Sequence, residues 1–255
     1  MPERIQESER IDKRPLVVGM VGCLASGKTT LSKELGNRWG ITPIEENYPE
    51  NPYLVQFYEN LSSSGYNQFS FKSEIFFLTE KVKQLKNGGK IIDPALSMDL
   101  LYAKTHHKMG WMDGYEFELY KDTLESLSIE KDIAYPDIHI IVRAGQEDLA
   151  RRIVKRNRKY EMLILENCPE YLIGLSEAVD KWAGEKDDKT FKLILDTSAT
   201  TTFSDVQSLA ERVERHIAAR FLDKFELPNF PASISQYKDC DFVPGIASDS
   251  ARLRR

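Results

Sequence analysis

An α/β fold, a five-stranded parallel sheet doubly wound with helices on both faces, is predicted by two features of the sequence. Five short apolar runs, most of them β-branched, recur along the chain, and stretches with helical periodicity separate them. No internal repeat interrupts this alternation, and 255 residues fit one large α/β unit.

The predicted strands fall at residues 16–21, 42–45, 90–93, 137–142 and 191–195. Four of the five are nearly continuous in apolar residues, as strands buried on both faces are. Helical spacing covers 29–39, 71–86, 97–108, 115–129, 146–156, 170–182 and 204–221. In the second of these, Ile75, Leu78, Val82 and Leu85 share one face, which reads as core. Residues 1–14 are charged throughout and read as a flexible segment, so the folded unit is expected at 15–224. Residues 225–255 hold three prolines and no sustained period, which predicts an irregular arm or disordered tail.

A net charge of −5 argues against a broad electrostatic footprint for nucleic acid. Three cysteines, Cys23, Cys168 and Cys240, are too few and too scattered for a disulfide framework or metal site, and read as reduced thiols. The charged N-terminus has no apolar leader core, and no segment approaches the ~18 apolar residues of a membrane span. A cytoplasmic setting is the expectation.

The stretch VGMVGCLASGKTT carries the strongest chemical signal. Gly22-Cys23-Leu24-Ala25-Ser26-Gly27-Lys28-Thr29 fits G-x-x-x-x-G-K-[ST], follows a predicted strand and opens a predicted helix. Glycines let successive backbone N–H groups turn inward around phosphate oxygens, and the helix N-terminus, with Thr30, adds positive potential. Lys28 is expected on the β/γ-phosphates of ATP or GTP, and the Thr29 hydroxyl on Mg²⁺. An N-K-x-D base-reading segment of the GTPase type is absent, and no apolar strand ends in adjacent acids as a Walker-B ATPase requires.

EENYPENPYLVQFYEN, residues 45–60, resembles the deoxynucleoside kinases, most closely their bacterial deoxyadenosine/deoxyguanosine branch. SFKSEIFFLTEKVKQL resembles the substrate helix of that family, and IIDPALSMDLLYAKTHHKMGWMD the strand and helix bearing its acidic-Arg-Ser motif. YPDIHIIVRAGQEDLARRIVKRNRKYE resembles its strand, helix and arginine-rich lid. The likeness spans roughly residues 15 to 220 in collinear order, and implies a P-loop kinase fold with a helical lid, ATP and Mg²⁺ as cofactors, and a homodimer.

Site assignments follow from the resemblance together with strand-end placement. Glu46 ends the second strand, where an open sheet delivers residues to its site, and matches the catalytic base that takes the 5′-hydroxyl proton. Glu45 is the neighbouring alternative. Asp93 ends the third strand and matches an acid that organises Mg²⁺, an N-cap for the next helix being its plainer reading. Arg156 and Arg158 match the lid arginines that neutralise charge in transfer, and Arg152 a further phosphate contact. Tyr58 and Glu161 match the pair holding the sugar 3′-hydroxyl, although Tyr58 also suits a core aromatic.

Three departures bear on substrate choice. The family's Glu-Pro becomes Glu46-Asn47, its acidic-Arg-Ser becomes Asp93-Pro94-Ala95, and its base-pairing glutamine becomes Glu74. An ionised glutamate only accepts hydrogen bonds, so Glu74 is expected to favour bases presenting donors, such as guanine N1/N2 or cytosine N4. Lys81 stands where the family has a basic residue beside the base, and Lys81 or a lid arginine is the candidate replacement for the lost arginine. The expected activity is transfer of the γ-phosphate of ATP to a deoxynucleoside or nucleoside-like molecule. A catalytically weak kinase fold kept for binding or assembly, and a nucleoside-monophosphate kinase, stay open as alternatives.

Overall fold

The structure, a computed structural model, describes residues 14–62, 65–85, 91–130, 133, 135–187, 189–221 and 225. Five parallel strands form one sheet in the order β2-β3-β1-β4-β5: β1 Val18–Val21, β2 Ile44–Glu45, β3 Ile91–Asp93, β4 Ile138–Arg143 and β5 Phe191–Asp196. Val18 pairs with Ile91 on one side and Ile138 on the other, and Ile138 pairs with Phe191, so the strand ends are in step. Every predicted strand is present. β2 shrinks to two residues because Thr42 and Pro43 lie outside it, and proline has no N–H for a ladder.

The helices are α1 Lys28–Trp39, α2 Leu54–Glu59, α3 Ser70–Leu85, α4 Leu96–Lys108, α5 Gly114–Glu130, α6 Gln146–Arg156, α7 Lys159–Asn167, α8 Glu170–Gly184 and α9 Phe203–Phe221. Helices α2 and α7 are additional to the predicted set. Each is under ten residues, too short for periodicity to declare itself in a charged or aromatic-rich stretch. Among the described residues, no helix is long and apolar enough to cross a membrane.

Strand residues alternate between two cores. Val18, Met20, Ile138, Ile140 and Val142 pack with Leu31 and Leu35 of α1 and Val213 and Ile217 of α9. Val21 and Ile141 face the opposite layer, with Met98 and Leu101 of α4 and Leu172 and Leu175 of α8. Burying each such side chain contributes about 1.5–3 kcal/mol. Arg38 at the end of α1 grips the buried Glu214 of α9 at 2.7 and 2.6 Å, fixing that pair of helices.

The described terminal residues are anchored. Arg14, at the end of the segment expected to be flexible, pairs with Asp137 and lies 4.7 Å over the ring of Phe225. Residues 1–13 and 226–255, where the rest of that segment and of the C-terminal arm were expected, lie outside the described residues.

Candidate active site

The phosphate loop leaves the central strand at its carboxyl edge, as the G-x-x-x-x-G-K-T reading required. Gly22 has φ of 152°, and a Cβ there would lie 2.3 Å from the Val142 carbonyl oxygen. Gly27 at φ 104° and Ala25 at φ 58° take the left-handed turns that aim N–H groups inward. No side chain caps α1 at Gly27, so the helix's first N–H groups stay available to an anion. Lys28 folds over the loop and donates to the Gly22 and Cys23 carbonyls at 2.7 and 3.0 Å. Burial pulls its pKa below the usual lysine range, opposed chiefly by Asp93.

Arg152, on α6, turns to the back of this loop. It donates to the Ser26 carbonyl at 3.1 Å and to Thr197 Oγ1 at 3.0 Å, and it also bonds the Thr197 carbonyl. Thr197 Oγ1 in turn lies 2.7 Å from the Ser26 carbonyl. Arg152 thus braces the loop from outside the cavity.

The two strand-end acids meet through their backbones, the Glu46 N–H donating to the Asp93 carbonyl at 3.1 Å. Asp93 is 2% exposed. Its Oδ2 accepts from Ser32 Oγ at 2.9 Å, and its Oδ1 is buried with no hydrogen-bond partner among the described residues. Ser32 also bonds the Thr29 carbonyl at 3.1 Å, so Asp93 and Thr29 share one neighbour. An orphaned carboxylate oxygen beside a threonine of the phosphate loop is a fitting donor set for Mg²⁺ and its water.

Glu45 and Glu46 both border the cavity but have different partners. Glu45 pairs with the exposed Lys33 at 3.0 Å, whereas Glu46 faces Lys81 at 3.7 Å. Removal from water raises the Glu46 pKa to about 7, with Lys81 pulling it down and Asp99 pushing it up. Lys81 Nζ is itself held by both Asp99 oxygens at 2.5 Å, and both residues are 2% exposed. Lys81 therefore backs the Glu46 carboxylate with a fixed positive charge.

Glu74 is 5% exposed on α3, with His106 Nδ1 of α4 at 3.6 Å from Oε1. Burial, then Asp99 and Glu46, hold its carboxyl well above the usual range. His106 is locked by Ser70 Oγ at 3.0 Å and Tyr171 OH at 2.9 Å, and burial lowers its pKa to about 3. Tyr58 belongs both to the core and to the cavity wall, where its ring meets that of Tyr160 at 5.3 Å.

The lid is the α6–α7 corner, made possible by Asn157 at φ 53°. Arg158 donates to Glu161 Oε1 at 2.8 Å and to Tyr48 OH at 2.9 Å, and lies 4.2 Å over the Tyr48 ring. Arg156 approaches Glu161 Oε2 at 3.9 Å. The lid arginines thus rest on Glu161 and Tyr48.

A single cavity of about 550 Å³ gathers most of these groups. Leu24, Ala25, Ser26, Gly27, Lys28, Thr29 and Thr30 line it with Glu46, Tyr58, Glu74, Asp93, Arg156, Arg158 and Glu161. Gly22, Cys23, Lys81 and Arg152 stand behind its wall rather than on it. Asp99, His106, Tyr48 and Thr197 are additions that sequence reasoning missed. Asp99, Tyr102 and His106 follow i, i+3, i+7 spacing along α4, a signal that they share the face presented to α3.

The deoxynucleoside kinase family model matches residues 18–223. A deoxyguanosine kinase of Bacillus subtilis (strain 168) is 29% identical over 204 residues, covering 78% of this chain and 95% of that protein. A deoxyadenosine/deoxycytidine kinase of the same organism is 29% identical over 152 residues, covering 57% of this chain and 68% of the relative. Among solved structures, a deoxyadenosine kinase from M. mycoides with bound dCTP aligns with a TM-score of 0.67 and 25% identity, over 78% of this chain and 98% of that one.

Proposed function

We propose that this chain, which belongs to the deoxynucleoside kinase family, uses Glu46 as the base that prepares a deoxynucleoside 5′-hydroxyl for attack on the γ-phosphate of ATP. ATP-dependent phosphorylation of a nucleoside is the activity of the family, and the cavity is built for it. The observation that carries the assignment of roles is a partly buried carboxylate, Glu46, opening into the same cavity as Lys28 and the phosphate loop.

Each role has a physical basis. With its pKa raised to about 7, the Glu46 carboxylate is a stronger base than an ordinary one and is still populated at working pH. Lys81, clamped by Asp99, stabilises the anionic form of Glu46 and sets its direction. Lys28 releases the loop carbonyls when phosphate oxygens offer a better partner. Arg156 and Arg158 leave Glu161 and Tyr48 to meet the charge that develops on the transferring group, and freed Glu161 becomes an acceptor for a sugar hydroxyl. Closure of α6–α7 removes water from the attacking oxygen. Thr29 and Asp93 would hold Mg²⁺, which neutralises charge on the β- and γ-phosphates.

Substrates named for the relatives, deoxyadenosine, deoxycytidine and deoxyguanosine, are the candidates for this chain. A catalytic unit at 15–224, homodimeric assembly and a cytoplasmic location belong to the same proposal. Incubation with γ-labelled ATP and a panel of deoxynucleosides, ribonucleosides and monophosphates tests the function. Label transferred to at least one nucleoside is the expected result. Transfer only to monophosphates, or ATP binding with no transfer, would overturn it.

A further inference from the structure

We propose that Glu74 meets the nucleobase as a neutral carboxylic acid, so that the pocket selects an amidine edge, an amino group beside a ring-nitrogen acceptor, as adenine and cytosine present. This selection rests on the kinase reading and specifies its substrate class.

Geometry leaves Glu74 without a counter-charge. It lines the cavity and is 5% exposed. On its own helix the nearest cation is Lys81, whose ammonium is gripped by both Asp99 oxygens and shared with Glu46. His106 of α4 stands 3.6 Å from its Oε1, the charges of Asp99 on α4 and Glu46 after β2 act on it, and Tyr58, Tyr102 and Tyr171 line the same cavity. Two of these groups are competing carboxylates and three are neutral phenols. His106 is the one basic side chain within 4 Å of its carboxyl among the described residues, and its ring nitrogens are already engaged by Ser70 and Tyr171. A second or third buried anion beside one shared ammonium is costly, and a carboxyl group relieves that cost by keeping its proton.

The hydrogen-bond consequences reverse those of an ionised glutamate. A neutral carboxyl offers one O–H donor and one C=O acceptor on the same edge, the pattern a glutamine amide offers. Adenine N6/N1 and cytosine N4/N3 match it with two parallel hydrogen bonds. A carboxylate, accepting only, would instead suit the paired N–H donors of guanine N1 and N2. Because the group's pKa is raised, amidine recognition is present at low and neutral pH and is lost as pH climbs through that raised value.

Calorimetric binding of deoxyadenosine, deoxycytidine and deoxyguanosine to the full chain, over a neutral-to-alkaline pH series, tests the assignment without requiring turnover. At neutral pH the first two should bind at least about tenfold tighter than the third, and the margin should shrink as pH rises. Glu74→Gln should keep deoxyadenosine affinity within about threefold and flatten its pH response. In the ligand-free protein, an infrared difference spectrum between wild type and Glu74→Gln should show loss of a protonated-carboxyl stretch. A guanine preference, a gain of about tenfold or more for deoxyadenosine in Glu74→Gln, or loss of a carboxylate band instead would overturn the proposal while leaving the kinase reading intact. Binding of no nucleoside at any pH would overturn the kinase reading and this selection together.

Discussion

Lys81 Nζ lies 3.7 Å from Glu46 Oε1 while both oxygens of Asp99 hold the same ammonium at 2.5 Å. One buried cation therefore links the assigned base to the helix α4. The link has an energetic signature. Lys81→Met leaves Asp99 buried and unpaired, and should destabilise the fold by about 3–5 kcal/mol in denaturant unfolding. The double variant Lys81→Met/Asp99→Leu removes both charges and should recover most of that loss. Its kcat should nevertheless stay at least about tenfold down, because Glu46 has lost its electrostatic partner. Full recovery of kcat in the double variant would show that the pair is structural only.

The brace behind the phosphate loop predicts a binding defect with little effect on chemistry. Thr197 Oγ1 lies 2.7 Å from the Ser26 carbonyl and accepts from Arg152 at 3.0 Å. Thr197→Val keeps the shape and deletes these bonds, each worth about 0.5–1.5 kcal/mol. ATP dissociation constants from calorimetry should rise about 3- to 10-fold, with kcat at saturating ATP within about twofold of wild type. An unchanged ATP affinity would mean that the loop holds its geometry unaided.

His139, in the middle of β4, predicts an acid-sensitive component of stability. Its ring bridges Ser97 Oγ and Thr190 Oγ1 at 3.0 Å each, and burial with a contribution from Lys192 lowers its pKa to about 4. The unfolded chain binds the extra proton first, so the stabilisation is intact above about pH 6.5 and is lost as pH falls towards 4. On the order of 3 kcal/mol is at stake over that window. His139→Asn keeps a hydrogen-bonding side chain without the titration. Urea unfolding of the two proteins should show wild type losing stability faster on acidification. Parallel pH profiles would contradict the assignment.

The sheet was legible because four of its five strands are nearly continuous apolar runs, and the phosphate loop because glycine is required where φ is positive, as at Gly22 and Gly27. In the site itself, strand-end placement located Asp93, whereas Glu46 needed the family resemblance as well, because β2 closes at Glu45. Charge state was not legible. Whether Glu74 is ionised depends on Asp99 and Glu46, which lie 25 and 28 residues away in sequence and meet it only in the folded chain. Arg152 stood in a run of basic residues that looked uniformly suited to phosphate, yet its direction is set by Thr197 beyond β5. Helix α7 escaped because KYEMLILEN is too short and too mixed in polarity to show a period.

Phosphoryl transfer by Glu46→Gln tests the central claim most directly. The amide preserves the size of the side chain and removes its basicity. Turnover of the preferred nucleoside should fall about 100- to 10,000-fold while the dissociation constant for ATP stays within about twofold of wild type. Turnover retained within about tenfold would show that Glu46 is not the base and would contradict the account.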